Sequence, residues 1–221
     1  MSTATAAATV LEKATAKGEE VEKKAIPAYL IKETIDGIPF YYKGFRSVLN
    51  KTKKPADIMA DSGLQSDIKA FIYALLIRHL DLKKYKAYVG EVGSHLDHRS
   101  NMGLDVVVFD KKTLTPDKIT SKYIDVAPKL VVEIDVNVEL QDPGSNVFEE
   151  FVLRKVRKLH AFGCEKIIWI FSRSKTVIVA VPGTTWQVLD WDADVELLEG
   201  IEFNIAAYLE SEGIETPDRD A

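Results

Sequence analysis

Four acidic side chains lie in or beside three strand-like runs of this 221-residue chain. Glu91 belongs to YKAYVGEVG (85–93), Asp105 to LDVVVFD (104–110), and Glu133 and Asp135 to KLVVEID (129–135). Strand side chains alternate faces with period two, so Val131, Glu133, Asp135 and Asn137 are expected on one face. Leu130, Val132, Ile134 and Val136 take the other. Two neighbouring carboxylates on an apolar strand repel each other and lose hydration, and acids are seldom buried without a partner. A cation would compensate them. Hard divalent ions take oxygen ligands, Mg²⁺ typically one or two carboxylates with water and phosphate oxygens. Such an ion can activate water for attack on a phosphodiester. If the three strands are neighbours, Glu91, Asp105 and Glu133 converge on one point, with Asp105 on the face of Val107 and Phe109. The plainer alternative is that each acid begins or ends a strand in solvent. The apolar residues around Glu133 argue against that there.

The helix expected over 146–162 carries a second candidate. At 100° per residue, Phe148, Phe151, Val152, Leu159 and Phe162 form one apolar stripe, and Lys155 falls in its middle. Either its aliphatic stem covers apolar surface while the ammonium reaches water, or it reaches across to the Glu133/Asp135 face. Arg154, Arg157 and Lys158 form a basic face that could contact phosphates, or is simply solvated. His95 and His98 flank Asp97 in SHLDHRS, a spacing that reads as a loop near the mouth of the site rather than as a zinc centre. His160 is expected on the exposed side of its helix.

These residues need elements to position them. Residues 1–25, rich in Ala, Thr, Lys and Glu, read as a mobile tail. One domain is expected over 26–213, followed by a C-terminal tail over 214–221. Two β-prone runs flank Asp36-Gly37, which signals a hairpin. KPADIMADSG reads as a short helix closed by Gly63, and an amphipathic helix follows to about residue 81. After the three strands and the 146–162 helix, which stops at Gly163, come a hairpin over EKIIWIFS and KTVIVAV, an edge segment WQVLDW, and a closing helix near 205–212. This order predicts an α/β (α+β) fold with a mixed sheet flanked by helices. The balance of 29 basic to 34 acidic residues argues against coating nucleic acid by bulk charge, though not against a local basic patch. A single cysteine, Cys164, excludes an intramolecular disulfide and a cysteine-based zinc cluster. The apolar runs are too short for a membrane span, and no secretory pattern opens the sequence, so a cytoplasmic location is the expectation.

Taken in order, IDGIPFYY, GEVG, LDVVVFD, LVVEID and KVRKLHAFGCEKIIWIF resemble the restriction-endonuclease-like nuclease superfamily, with its P-D…(D/E)-x-K pattern. Within it they are most similar to an uncharacterised bacterial family of restriction-endonuclease domains, over about residues 27–212. The resemblance implies a restriction-endonuclease-like core and metal-dependent hydrolysis of DNA phosphodiester bonds. It implies Mg²⁺ or Mn²⁺ held by Asp105 and Glu133, with Glu91 as accessory acid and Asp135 as a further ligand. Leu104 stands where the pattern has proline, which carries no chemistry. Asp135 stands where it has lysine, and counting from Asp135 instead puts Asn137 there. Lys155, Leu159 and Gly163 fall on the family's K…Y…G helix pattern, which makes Lys155 the candidate to replace the missing lysine, orienting water and stabilising charge on the phosphate. The alternatives are a catalytically inactive relative serving as a binding or assembly module, and an interaction protein whose acids are structural. By analogy with nucleases that cut both strands, DNA and a second copy of the chain are the expected partners.

Overall fold

The computed structural model of the protein describes residues 26–216; the expected tail over 1–25 and the end of the C-terminal tail lie outside the described residues. β1 (Ile31–Ile35) and β2 (Ile38–Tyr42) form the expected hairpin. Its turn residues Asp36 and Gly37 have φ of 54° and 81°, the paired positive values that an Asp-Gly turn supplies. Three helices follow, α1 (Phe45–Leu49), α2 (Ala56–Met59) and α3 (Gly63–His79). Gly63 does not close α2 as expected. It opens α3, because Ser62 accepts the backbone N–H of Gln65 while the Gln65 side chain accepts that of Ser62. This reciprocal cap fixes the helix start.

Next come β3 (Tyr85–Asp97), β4 (Ser100–Asp110), β5 (Leu130–Ile134) and β6 (Val138–Glu139). A π-helical segment, Phe148–Leu153, runs into α4 (Arg154–Phe162), followed by β7 (Lys166–Phe171) and β8 (Thr176–Ala180). The chain continues with β9 (Gln187–Asp190), β10 (Val195–Leu198), β11 (Ile201–Phe203) and α5 (Ile205–Ser211). β1 to β9 form one mixed sheet, in which β5 and β7 are parallel and α4 is the crossover between them. α3 packs Ile68, Ile72 and Leu76 against Val106, Val132 and Ile168 on one face. α4 packs Val156 and Leu159 against Val107, Val131 and Trp169 on the other. The four central strands and both flanking helices are thus where the hydrophobic periodicity puts them.

Three local readings need correction. The π-helical segment turns less per residue than an α-helix, so the stripe drawn at 100° loses its first member, and Phe148 is exposed. SHLDHRS is no loop but the end of the long β3–β4 hairpin, where His95 hydrogen-bonds the Asn101 side chain. His160 is half-buried, its Nδ1–H donating to the Cys164 carbonyl. Among the described residues no helix is long and apolar enough to cross a membrane.

The capping box at α3 makes a measurable contribution. Ser62→Ala is expected to lower stability by about 0.5–2 kcal/mol in urea denaturation. A loss below about 0.2 kcal/mol would show that tertiary packing alone sets the start of α3.

Candidate active site

β4 is the axis of the site. One of its edges pairs with β3 along almost the whole hairpin. The other edge is divided: Asn101 pairs with Thr34 of β1, and Val106, Val107 and Val108 pair with β5. Gly103, Leu104 and Asp105 lie between the two pairings, where β1 and β5 part. Backbone that would otherwise be consumed by a ladder is here open to side chains.

Lys155 fills that opening. It has no exposed surface, and its ammonium donates to Glu33 Oε1 (2.8 Å), the Gly103 carbonyl (2.9 Å) and Glu133 Oε2 (3.0 Å). Three donors meet three acceptors, so the ammonium is saturated. The Phe151 and Trp169 rings flank it at 5.5 and 5.8 Å, close enough for favourable cation–π contact. The remaining carboxylate oxygens, Glu33 Oε2 and Glu133 Oε1, are buried without a hydrogen-bond partner.

A second lysine holds Asp105 from the opposite layer. Lys69 of α3 is 2.7 Å from Asp105 Oδ1 and 2.7 Å from Asp61. Asp105 Oδ2 accepts the Ile134 N–H at 2.8 Å. Strict alternation would put Asp105 with Val107 and Phe109 and Leu104 opposite them. Leu104 instead packs in the cluster of Val107 and Phe109, so the alternation of β4 breaks here and Asp105 meets the helix on the other face. Gln65 ties the start of α3 to the same point by donating to the Ile134 carbonyl.

Glu33, Glu91, Asp105 and Glu133 line one cavity of about 10 Å³, room for roughly one water molecule. Glu91 forms its outer wall, half-exposed and 2.8 Å from Lys32. A Cβ on Gly103 would meet the end of the Glu91 side chain, so a larger residue there would displace the Glu91 carboxylate. Two bulges aim these side chains. In β1 the register shifts between Ile31 and Glu33, and in β3 between Val89 and Val92, with Gly90 at φ 115°. A bulge puts two residues opposite one and re-aims the side chains around it, which is how the consecutive Lys32 and Glu33 both reach the cavity.

Asp135 lines the same cavity, but its carboxylate is engaged elsewhere. β5 ends at Ile134, and Asp135 turns to φ 59°. Its carboxylate accepts the N–H and hydroxyl of Ser172, each at 2.6 Å. It braces the β7–β8 turn, and neither it nor Asn137 takes the place of the pattern's lysine beside Glu133. Lys158 of the basic face is engaged by Asp36 and Asp97, and Arg154 by Glu150, while Arg157 is exposed. Among the described residues no three His, Cys, Asp or Glu side chains are already grouped to hold a metal ion.

Glu33 and Lys69 were not among the candidates read from the sequence. The signal was present: Glu33 alternates with Ile31 and Ile35, and Lys69 lies three and seven residues from Ile72 and Leu76, on the apolar side of its helix.

Burial pushes Glu133 up to about 8; Lys155 pulls it down, and the charges of Asp105 and Glu33 reinforce the rise. Burial likewise raises Glu33, against Lys155. Burial alone would discharge Lys155, but Glu133 and Glu33 outweigh it and hold the ammonium charged above its ordinary range. Lys69 is desolvated too, and Asp105 and Asp61 raise it nonetheless.

No family model and no curated protein matches the chain. A solved structure does: that of a "putative nuclease belonging to DUF820" from Anabaena variabilis. It is 16% identical, with a TM-score of 0.58, over 80% of this chain and 89% of that one. The two share a fold, a large mixed sheet flanked by helices.

The raised Glu133 gives stability a definite pH dependence. Folding takes up a proton between the ordinary glutamate range and about pH 8, so the unfolded state binds fewer protons there and stability falls as pH rises. Below about pH 4 both states are protonated, and above pH 8 both are ionised. Urea denaturation of the wild type and Glu133→Gln from pH 5 to 9 checks this. The wild type should lose stability relative to the variant up to about pH 8 and then run parallel to it. Parallel curves throughout would show that Glu133 titrates normally.

Proposed function

We propose that the protein is a metal-dependent nuclease that hydrolyses phosphodiester bonds in DNA, with Asp105, Glu133 and Lys155 at its centre. One observation carries the reading: a fully buried ammonium clamped between two carboxylates where β1 and β5 part from β4. Buried ion pairs seldom repay their desolvation as stability, whereas strongly perturbed groups around a cavity gather at functional sites. The fold held in common with the Anabaena structure supports it.

A divalent cation suits the residues present. Four of the acids lining the cavity, Glu33, Glu91, Asp105 and Glu133, are matched by three ammonium groups, Lys32, Lys69 and Lys155, and two buried carboxylate oxygens have no partner. Asp105 and Glu133 would hold the ion, a hard-oxygen set of the kind Mg²⁺ or Mn²⁺ prefers. Bound there, it would polarise a phosphoryl oxygen and acidify water. The chain's own residues do the positioning. Lys155 has no free N–H, so it acts on a phosphate through its charge and by fixing both glutamates. Lys69 and the Ile134 N–H fix Asp105. Burial raises Glu133, so it sheds its proton less readily than an ordinary glutamate before serving as ligand or base. Arg157 is the exposed guanidinium left to meet the nucleic-acid backbone. Cutting both strands takes two centres, so a homodimer belongs to the proposal.

A second reading is a catalytically inactive nuclease fold used as a binding or assembly module. It is favoured by the small cavity and by lysines on carboxylates that an active centre would give to metal.

Supercoiled plasmid incubated with the full chain and Mg²⁺ or Mn²⁺ separates the two. Nicking is expected, abolished by chelator and reduced at least about 10²-fold in Asp105→Asn. Intact DNA with every divalent ion, from protein whose unfolding is cooperative, would establish the inactive module instead.

A further inference from the structure

The acid cavity has no room for a nucleotide, so a strand must be seated by what adjoins it. Asp135 and Asn137, in its wall, also line a second, open cleft of about 500 Å³ that carries Lys43, Phe171, Ser172 and Arg173. We infer that this cleft seats the nucleotide next to the phosphate under attack, with Lys43 and Arg173 as its phosphate contacts, an inference that rests on the nuclease reading above. Three loops build it. Asp135, Val136 and Asn137 follow β5, and Lys43 follows β2, where its N–H donates to the Asn137 carbonyl at 3.1 Å. Arg173 lies in the β7–β8 turn, which the hydrogen bonds from Ser172 to Asp135 hold against the first loop. β5 and β7 run parallel, so the cleft lies beyond their carboxyl ends, the place where open α/β sheets receive ligands.

The lining has the chemistry of an anion site. Lys43 and Arg173 are exposed, and neither side chain meets a carboxylate among the described residues. Asp135 is the one acid in the lining, and it is committed to Ser172. The half-buried Asn137 side chain stands where the two cavities meet and has no partner among the described residues, which leaves its amide to donate to a bound oxygen. Val136 and Phe171 add apolar surface, so the cleft suits a sugar or base beside a phosphate better than a free inorganic anion. Its volume falls within the roughly 300–1,000 Å³ of small-molecule sites. Arg157 meets the backbone from a separate depression, which it shares with Asp36 and Glu149.

Fluorescence anisotropy of a short labelled single-stranded oligodeoxynucleotide with the full chain tests this, in Ca²⁺ and at several salt concentrations, with thermal melting of each variant alongside. Lys43→Gln and Arg173→Gln should each weaken binding at least about threefold and reduce the log–log salt slope by about 0.7. Lys112→Gln is the control. That exposed lysine follows β4, whose end lies beside the start of β5 and so at the opposite end of the sheet. Its removal should change affinity by less than about 1.5-fold. Wild-type affinity and slope in Lys43→Gln and Arg173→Gln, or an equal loss in Lys112→Gln, would overturn the cleft and leave the nuclease reading intact. DNA neither bound nor nicked by the wild type would overturn both.

Discussion

A single ammonium group, that of Lys155, holds together parts of the chain that are far apart in sequence. Glu33 lies 122 residues away, Glu133 22 and Gly103 52. Its burial is tolerable only because all three partners are in place, since desolvation drives a lone buried lysine towards its neutral form. The arrangement therefore couples the N-terminal hairpin, the divided edge of β4 and the crossover helix. Removing Lys155 would leave two desolvated carboxylates facing each other. Removing either glutamate would leave the ammonium under-compensated.

The same logic operates from the other layer. Lys69 of α3 reaches Asp105 through the gap between β1 and β5, so the acids at the gap are neutralised from both faces of the sheet. The hydrophobic cores on either side remain continuous up to this point. The charges thus form a polar plug through an apolar sheet. Such a plug adds little to folding stability, and its value lies in holding carboxylate oxygens at set positions in a water-poor space, which any hydrolytic or metal-binding role requires.

Legibility in the sequence follows from how regular each element is. The sheet, its two flanking helices and the Asp-Gly hairpin obey the period of two, the period of 3.6 and turn chemistry. Glu133 lies where the period of two puts an acid in an apolar strand, and Lys155 where an apolar stripe encloses a charge, whereas Asp105 takes the face opposite to its expected one. The remainder depends on breaks in period. Bulges in β1 and β3 turn Glu33, Lys32 and Glu91 towards the cavity, and a positive φ at Asp135 ends the strand and commits its carboxylate to Ser172. The π-helical segment moves Phe148 out of its stripe. A one-residue irregularity costs little in composition but reverses the face of a side chain. The rule that singled out Glu133, an acid alternating with apolar residues, applies equally to Glu33 in a strand that also donates to a tight turn.

The central claim is that Lys155 stays charged within the fold because Glu33 and Glu133 hold it so. A titration of its side-chain nitrogen and adjacent carbon by NMR, in protein with isotope-labelled lysine, tests this most directly. The account predicts an ammonium in slow exchange with solvent, charged from about pH 6 to about pH 10, above which an ordinary lysine titrates. A midpoint below about pH 9, the behaviour of a buried lysine without compensating charge, would contradict it.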